Sequence, residues 1–219
     1  MEGDSVVIED HHRMAARAID RWLEGQGLPG DERLVITVAG ESGSGKSETA
    51  AALAQALGRR GTASVIFQQD DYFVHPPKSN DRVRREDIDW VGSGEVRLAL
   101  LDEHLRAFQD GAKRLKKPLV RYAEDRIDEE TMDLQGFKVA IAEGTYTTLL
   151  DSAQVHVFID KSWEQTRAHR EKRSRHASEL DPFIDRVLTI EHQIISAHRE
   201  RADLIIDSEY AVHTSKGPA

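Results

Sequence analysis

Residues 40–47 read GESGSGKS and match the phosphate-binding pattern GxxxxGK[ST] at every fixed position. Glycines in such a loop permit backbone conformations with positive φ and let main-chain N–H groups approach phosphate oxygens. In this pattern the lysine amine reaches the β- and γ-phosphates, and the hydroxyl of the last residue is a ligand of Mg²⁺. The pattern therefore predicts a nucleotide site, with ATP and Mg²⁺ as the expected cofactors and GTP left open as donor. The residues expected to hold the nucleotide are Gly40, Ser42, Gly43, Ser44, Gly45, Lys46, Ser47 and Glu48.

The segments on either side of this loop supply the setting that it requires. The apolar run 34–39, LVITVA, precedes it, and the alanine-rich stretch 47–57 follows it. These patterns predict a buried strand that leads into the loop and a helix that leads away from it. The amino terminus of that helix adds its dipole to anion binding.

Carboxylates follow two further apolar runs of the chain. Asp70 and Asp71 come directly after one predicted strand, and Glu143 closes another. At such a position Asp70 could accept the proton of an acceptor hydroxyl, and Asp71 is the competing candidate for this base. Glu143 could hold Mg²⁺ or contact the acceptor, so the predicted metal ligands are Ser47, Asp70 and Glu143. Each of these carboxylates could instead be an ordinary cap or turn residue.

A cluster of basic side chains within residues 167–176 stands out on an acidic protein. Five of its residues are Arg or Lys, against the single acid Glu171. Guanidinium groups that close over a transferring phosphoryl group would stabilise the charge on its oxygens, which makes Arg170 and Arg173 candidate catalytic residues of a lid at about 163–180. A solvated helix face is the alternative interpretation.

Short apolar runs alternate with helical patterns over the rest of the chain. Strands that are apolar on both faces and separated by helices form parallel sheets covered on both sides, and such sheets bind ligands at the carboxyl ends of their strands. We therefore predict an α/β fold in a single domain, 1–219. The predicted strands are 34–39, 63–67, 139–142, 155–159 and 204–206, and the predicted helices are 8–24, 47–57, 95–108, 163–174 and 182–199. The segments 76–89 and 113–134 are predicted to be irregular, and the tail 213–219 to be frayed.

Composition limits the remaining function classes. Among 219 residues, 39 acids outnumber 30 Lys and Arg, and the net charge of −9 argues against a general nucleic-acid or membrane-surface binder. The absence of cysteine excludes disulfides and thiolate zinc sites, and the ten histidines show no spacing typical of metal ligands. With no signal peptide and no long apolar run, we expect a cytoplasmic protein that acts on a small molecule, and a homo-oligomer is left open.

The order of the motifs resembles that of the uridine kinase and phosphoribulokinase group of P-loop kinases, and the segment 70–73 is also similar to nicotinamide riboside kinases. The segments that carry the resemblance are 40–47, 69–73, 88–90, 143–144 and 170–175. The resemblance implies a five-stranded parallel sheet with a small lid, MgATP as donor, and a nucleoside or other small hydroxyl compound as acceptor. It also implies that Asp70 is the catalytic aspartate, Phe73 an aromatic at the acceptor site, Asp89 a carboxylate that binds the acceptor sugar, and the segment 170–175 the lid.

The chain departs from uridine kinases where the acceptor base would bind. Residues 88–91 read IDWV where uridine kinases carry Phe-Asp-His-Pro, and a base-contacting histidine is replaced near Tyr122. Tyr122 could stack on a ring of the acceptor, or pack as an ordinary aromatic.

Two functions of other classes remain as alternatives to a kinase. A nucleotide-dependent switch or regulatory ATPase would hydrolyse ATP slowly without an acceptor and expose a sizeable apolar patch. A kinase-like fold that binds nucleotide without turnover would hold Asp70 too far from the γ-phosphate.

Overall fold

The computed structural model of the chain describes residues 6–166 and 181–215. Within these ranges the helices are α1 (Asp10–Gly25), α2 (Lys46–Arg59), α3 (Pro77–Glu86), α4 (Leu98–Gln109) and α5 (Pro182–Ile195). The strands are β1 (Leu34–Gly40), β2 (Ser64–Gln68), β3 (Arg114–Arg121), β4 (Arg126–Asp133), β5 (Val139–Glu143), β6 (Val155–Ile159), β7 (Leu204–Ile206) and β8 (Val212–Thr214). The amino-terminal helix thus begins two residues later and ends one residue later than predicted.

The central sheet has the strand order β2-β5-β1-β6-β7-β8. The first five strands in this order run parallel, which confirms the predicted α/β architecture and its five parallel strands. The sixth strand, β8, pairs antiparallel to β7. The prediction of a frayed tail was therefore wrong for residues 213 and 214, because this polar strand is held by main-chain bonds to a buried neighbour and carries no apolar pattern of its own.

The hydrophobic core lies on both faces of the sheet. All seven residues of β1 are buried, and alternate side chains point to opposite faces. Leu34, Ile36 and Val38 pack with α1 and α2, whereas Val35 and Ala39 pack with α4 on the other face. β1 is thus held rigidly where it delivers the chain to the glycine-rich loop.

Helix α3 occupies a segment that was predicted to be irregular. Pro77 stands in its first turn, where a missing N–H costs nothing, and an ion pair of 2.8 Å joins Arg85 to Asp81 one turn away. Asn80 is the one residue that α3 buries. Because this helix has no apolar stripe, hydrophobic periodicity gave no sign of it.

Strands β3 and β4 form a hairpin where a polar loop was predicted. Opposite charges face each other across it, as in the pair of Lys117 and Glu130 at 2.6 Å. Cross-strand ion pairs take the place of the apolar alternation that marks most strands.

None of the helices in the described part of the chain is long and apolar enough to cross a membrane.

Candidate active site

The register of the sheet brings the predicted site residues to one edge. Val38 of β1 and Gln68 of β2 both pair with Glu143 at the end of β5. Two residues beyond Gln68, Asp70 lies in a short 3₁₀ helix, Gln69–Tyr72. The glycine-rich loop, Asp70 and Glu143 therefore meet at the carboxyl edge of the sheet, the usual place for a ligand in such folds.

Gly144 allows the chain to leave β5 close to Asp70. A Cβ atom at Gly144 would lie 2.2 Å from Cβ of Gln69, a distance that real atoms do not reach. The side chain of Gln69 in turn accepts a 2.7 Å hydrogen bond from the amide of Tyr146. The glycine that follows Glu143 is thus needed for the two strand ends to come together.

The glycines of the loop have the backbone that the motif requires. Gly40, Gly43 and Gly45 have φ values of 153°, 74° and 92°, a region that L side chains rarely adopt. Helix α2 begins directly after them, so its free amides face the loop. The amine of Lys46 donates to the carbonyl of Glu41 at 2.9 Å. Glu48, predicted to contact the nucleotide, is buried within the first turn of α2.

Ser47 and Glu143 form the contact best suited to hold a cation. The hydroxyl of Ser47 donates to Oε1 of Glu143 at 3.1 Å. Burial, together with the charge of Asp70, raises the pKa of Glu143 to about 7, although Lys46 and Ser47 partly oppose this. A buried carboxyl group whose pKa is raised by a neighbouring carboxylate attracts a cation, so the predicted ligand set of Ser47, Asp70 and Glu143 fits Mg²⁺.

We expect Glu143→Gln to raise the free energy of unfolding of the metal-free protein. Because the pKa of Glu143 rises from 4.5 to about 7, the folded state holds the proton more tightly than the unfolded chain does. The stability of the wild type therefore falls as the pH rises between these two values, and the glutamine variant lacks this loss. The expected gain at about pH 8 is on the order of 1 to 3 kcal/mol.

Urea unfolding in the presence of a chelator measures this difference. The gain should be small at about pH 5 and larger at about pH 8, since the wild-type carboxyl loses its proton between them. A gain that is equal at both pH values would contradict a raised pKa at Glu143.

The structure separates the two neighbouring aspartates. Asp71 is buried, and its carboxylate accepts from Nζ of Lys117 at 2.7 Å and from the amide of Val120 at 3.0 Å. It therefore anchors β3 to the sheet. Asp70 is partly exposed and faces a cleft beside the loop. Of the two, Asp70 is the carboxylate that a bound molecule can reach.

The cleft has a volume of about 310 Å³, enough for a small molecule. Four of the predicted nucleotide or acceptor residues line it: Ser42, Asp70, Phe73 and Tyr122. The other described residues of its lining are Pro77, Asn80, Asp81, Arg84, Thr145 and Glu191. Asp89, predicted to bind the acceptor sugar, is exposed on the short helix Ile88–Trp90 and lies outside this lining.

Sequence reasoning missed the charged wall of the cleft. Arg84 on α3 donates to Glu95 at 2.6 Å and to Glu191 on α5 at 3.0 Å. Asn80 donates to the same carboxylate of Glu95. Burial raises the pKa of Glu191, and Arg84 partly offsets this. The one available signal was Glu191 itself, an acid within the apolar stripe of α5.

The loop is tied to the beginning of the predicted lid. Glu41 accepts from the amide of Trp163 at 2.7 Å and contacts Nδ1 of His192 at 2.6 Å. The hydroxyl of Thr166 donates to the carbonyl of Ser42 at 2.9 Å. Arg170 and Arg173 lie outside the described residues, and their role in a lid stays a prediction.

A group of possible ligands lies at the start of α1, outside the lining of the cleft. Glu9, His11 and His12 each place one ligand atom within 4.8 Å of the others, although no histidine was predicted to bind metal. Nδ1 of His12 already accepts from the amide of Glu9 at 3.1 Å, and its Nε2 faces Tyr210. We assign this group no metal.

Similar proteins support a P-loop kinase. A bifunctional alpha-galactosidase/sucrose kinase from Mediterraneibacter gnavus is 29% identical over 207 residues, which cover 89% of this chain and 22% of that protein. A uridine kinase from Ureaplasma parvum serovar 3 is 28% identical over 131 residues, or 58% of this chain and 62% of that protein. The chain thus spans about a fifth and about three fifths of these two relatives.

Comparison with solved structures supports the same fold. A D-glycerate 3-kinase from Cryptococcus neoformans var. grubii superposes with a TM-score of 0.61 at 14% identity, covering 94% of this chain and 99% of that one. The sequence profile of the Phosphoribulokinase / Uridine kinase family matches residues 35–215, which include the loop, the strand-end carboxylates and both walls of the cleft. This match confirms the resemblance seen in the sequence, and the chain belongs to the phosphoribulokinase and uridine kinase family.

Proposed function

We propose that this protein transfers the γ-phosphoryl group of MgATP to a hydroxyl group of a small, uncharged acceptor. One observation carries the proposal: Asp70 lines a cleft of molecular size at the sheet edge that also bears the P-loop and the pair of Ser47 and Glu143. A donor site and an acceptor site that share a carboxylate are what direct phosphoryl transfer requires.

The loop and its neighbours would hold the donor. Main-chain amides of residues 40–47 and the amine of Lys46 would bind the phosphates, and Ser47, Glu143 and Asp70 would hold Mg²⁺. The bound metal ion would supply positive charge against the negative charge of the phosphates. Lys46 reaches a phosphate by giving up its present contact with the carbonyl of Glu41.

Asp70 then prepares the acceptor for attack. Its carboxylate accepts the proton of the acceptor hydroxyl as the oxygen forms its bond to the γ-phosphorus, and the bond from that phosphorus to the bridging oxygen of ADP breaks. The products are ADP and the phosphate ester, and the proton leaves through Asp70. Arg170 and Arg173 are proposed to stabilise the transferred group when a lid closes.

The charges of the cleft favour an acceptor without a net charge. Arg84 is the one cation in the described lining, and it is already bonded to Glu95 and Glu191. An anionic acceptor would therefore lie beside Asp70 and Glu191 with no second cation among the described lining residues to offset its charge. Hydroxyl groups, by contrast, donate hydrogen bonds to carboxylates. A compound with several hydroxyl groups, such as a sugar or a nucleoside, suits this lining.

The relatives give two candidates of this chemical class. One is named for sucrose kinase activity, and since a P-loop serves phosphoryl transfer and not glycoside hydrolysis, we assign the match to that activity. The other is named a uridine kinase. A sugar is our first candidate, because the sucrose kinase match covers more of this chain and because the residues 88–91 depart from uridine kinases.

We expect sucrose, fructose or uridine to raise the rate of ADP release well above the rate without an acceptor, and D-glycerate to leave it unchanged. A coupled assay of ADP release with MgATP and each compound measures this. If none of these compounds accelerates the release of ADP, the result contradicts the proposal that the protein is a kinase for this class of acceptor. Acceleration by D-glycerate alone would contradict the argument from the charges of the cleft.

The switch alternative receives less support from the molecular surface. It predicts a sizeable exposed apolar patch, whereas the exposed large apolar residues in the described ranges are Val6, Val7 and Met14. These three lie at or near the amino terminus, and none of them lines the cleft.

A further inference from the structure

Tyr210 has a backbone conformation that a residue other than glycine rarely adopts. It lies in the turn between β7 and β8 with a φ of 63°. The turn is fixed by Asp207, whose Oδ1 accepts from the amides of Glu209 and Ala211, each at 2.9 Å, and whose carbonyl accepts from the amide of Tyr210 at 2.9 Å. A strained residue persists only where its surroundings fix it, and such residues are concentrated at functional sites.

The strained turn directs the side chain of Tyr210 to the P-loop. The side chain is almost fully buried, and its hydroxyl donates a hydrogen bond to the carbonyl of Ser44. This contact joins two segments that are 166 residues apart in the chain. The hairpin of β7 and β8 thus contacts the phosphate-binding loop through the side chain of Tyr210.

His12 on α1 supports the same hydroxyl. Its ring is buried, and Nδ1 accepts from the amide of Glu9, so in the neutral ring the proton resides on Nε2. That nitrogen lies 3.4 Å from the hydroxyl oxygen of Tyr210, and the two rings meet edge to face at 88°. The hydroxyl therefore lies between a donor and an acceptor, which fixes the direction of its own proton toward Ser44.

Gly45 leaves room for this arrangement. A Cβ atom at Gly45 would lie 2.1 Å from the hydroxyl oxygen of Tyr210 and 2.8 Å from Nε2 of His12. The last glycine of the motif thus serves two purposes, since its φ of 92° also shapes the loop.

Because the peptide bond is planar and trans, the contact of the Ser44 carbonyl also fixes the direction of the Gly45 amide. In the unit between Ser44 and Gly45, the carbonyl and the N–H point in opposite directions. A carbonyl held on the side of Tyr210 therefore directs the amide of Gly45 to the opposite side, as a loop whose amides surround phosphates requires.

We infer that Tyr210, supported by His12, is a positioning residue for phosphate binding, because it fixes the orientation of the peptide between Ser44 and Gly45. This role rests on the proposed nucleotide site, although it is independent of which acceptor the protein uses. It gives the antiparallel strand β8 and its strained turn a function, and it brings α1 into the donor site.

The test compares Tyr210→Phe with Tyr72→Phe by titration with MgATP and with adenosine. Tyr72 is the matched control, because its buried hydroxyl also makes one hydrogen bond, to Nδ1 of His104 at 2.9 Å, away from the loop. We expect Tyr210→Phe to raise the Kd of MgATP by about tenfold and to leave the Kd of adenosine nearly unchanged, since only the phosphates contact the loop. Tyr72→Phe should change neither.

A second variant tests the role of His12. In His12→Asn the side-chain oxygen can still accept from the amide of Glu9, but the contact with Tyr210 is lost. We expect His12→Asn to raise the Kd of MgATP by a smaller factor than Tyr210→Phe does. Because both residues act through one hydroxyl, the double variant should lose less binding free energy than the sum of the two single losses.

Several outcomes would overturn the inference. One is an unchanged Kd for MgATP in a folded Tyr210→Phe protein, and another is an equal loss for MgATP and adenosine. Should Tyr210→Phe fail to fold, an unchanged Kd in His12→Asn would overturn it. A wild type that binds MgATP but transfers phosphate to no acceptor would contradict the proposed function. The role of Tyr210 in nucleotide binding would not be affected by that result.

Discussion

Asp70→Asn should lower kcat by on the order of 10²-fold or more and leave the Kd of MgATP within about a factor of three. Asparagine keeps the size and the place of the side chain in the cleft but cannot accept the proton of the acceptor hydroxyl. The melting temperature should stay near that of the wild type, because Asp70 is partly exposed at the sheet edge. Steady-state kinetics with the best acceptor, together with nucleotide titration, measure these quantities.

Asp71→Asn is the matched control, because it makes the same change at the next residue. Asp71 accepts from Lys117 at 2.7 Å within the buried interface between the hairpin and the sheet. Removal of one partner of a buried ion pair destabilises proteins by about 3 to 5 kcal/mol, and the remaining contact of Lys117 with Glu130 should reduce this loss. We therefore expect a lower melting temperature with kcat largely retained. Full activity in Asp70→Asn with an inactive but folded Asp71→Asn would show that Asp71 is the base.

The sheet could be predicted because its strands are buried on both faces. Apart from Thr37, Glu143 and His156, the strands β1, β5 and β6 consist of apolar residues and glycine, a pattern typical of strands that are covered on both faces. The elements that were missed, α3 and the hairpin of β3 and β4, are held by ion pairs and by main-chain bonds. Their sequences are polar, so a method that looks for hydrophobic periodicity finds nothing in them.

The candidate site divides in the same way. The P-loop, Asp70 and Glu143 follow directly from strands that the sequence shows, and the register of the sheet brings them together. Arg84 and Glu191 come from α3 and α5 and meet only in the folded protein, at 3.0 Å. Their pairing depends on how two distant helices pack, which a single sequence does not state.

The contacts of Tyr210 and His12 with the P-loop are harder to predict from the sequence than the loop itself. The motif predicts the side of the loop that meets phosphate, since glycines and a lysine are required there. Tyr210 and His12 meet the opposite side from the two ends of the chain, and no fixed spacing links them to residues 40–47. A short motif therefore predicts the ligand of a site far better than it predicts what holds the site in place.

Lys46→Ala should remove most of the rise in melting temperature that MgATP produces. Binding to the folded state at about 100 times the Kd stabilises a protein by about 2.7 kcal/mol, or on the order of 5 to 10 °C for a chain of this size. Without the amine, the β- and γ-phosphates lose the cation that the P-loop supplies. The Kd of MgATP should therefore rise and kcat should fall. The protein itself should stay folded, because Lys46 is partly exposed and its amine donates to a main-chain carbonyl, that of Glu41 at 2.9 Å.

Lys138→Ala is the control for this variant. Its amine also donates to a main-chain carbonyl, that of Asp31 at 2.9 Å, but Lys138 precedes β5 and so lies at the amino edge of the sheet, opposite the P-loop. Thermal unfolding with and without MgATP should show the full rise in Lys138→Ala and little in Lys46→Ala. If both variants keep the full rise, the triphosphate binds elsewhere and the P-loop is not its site. If both lose it, the effect of the lysine is general and not a contact with phosphate.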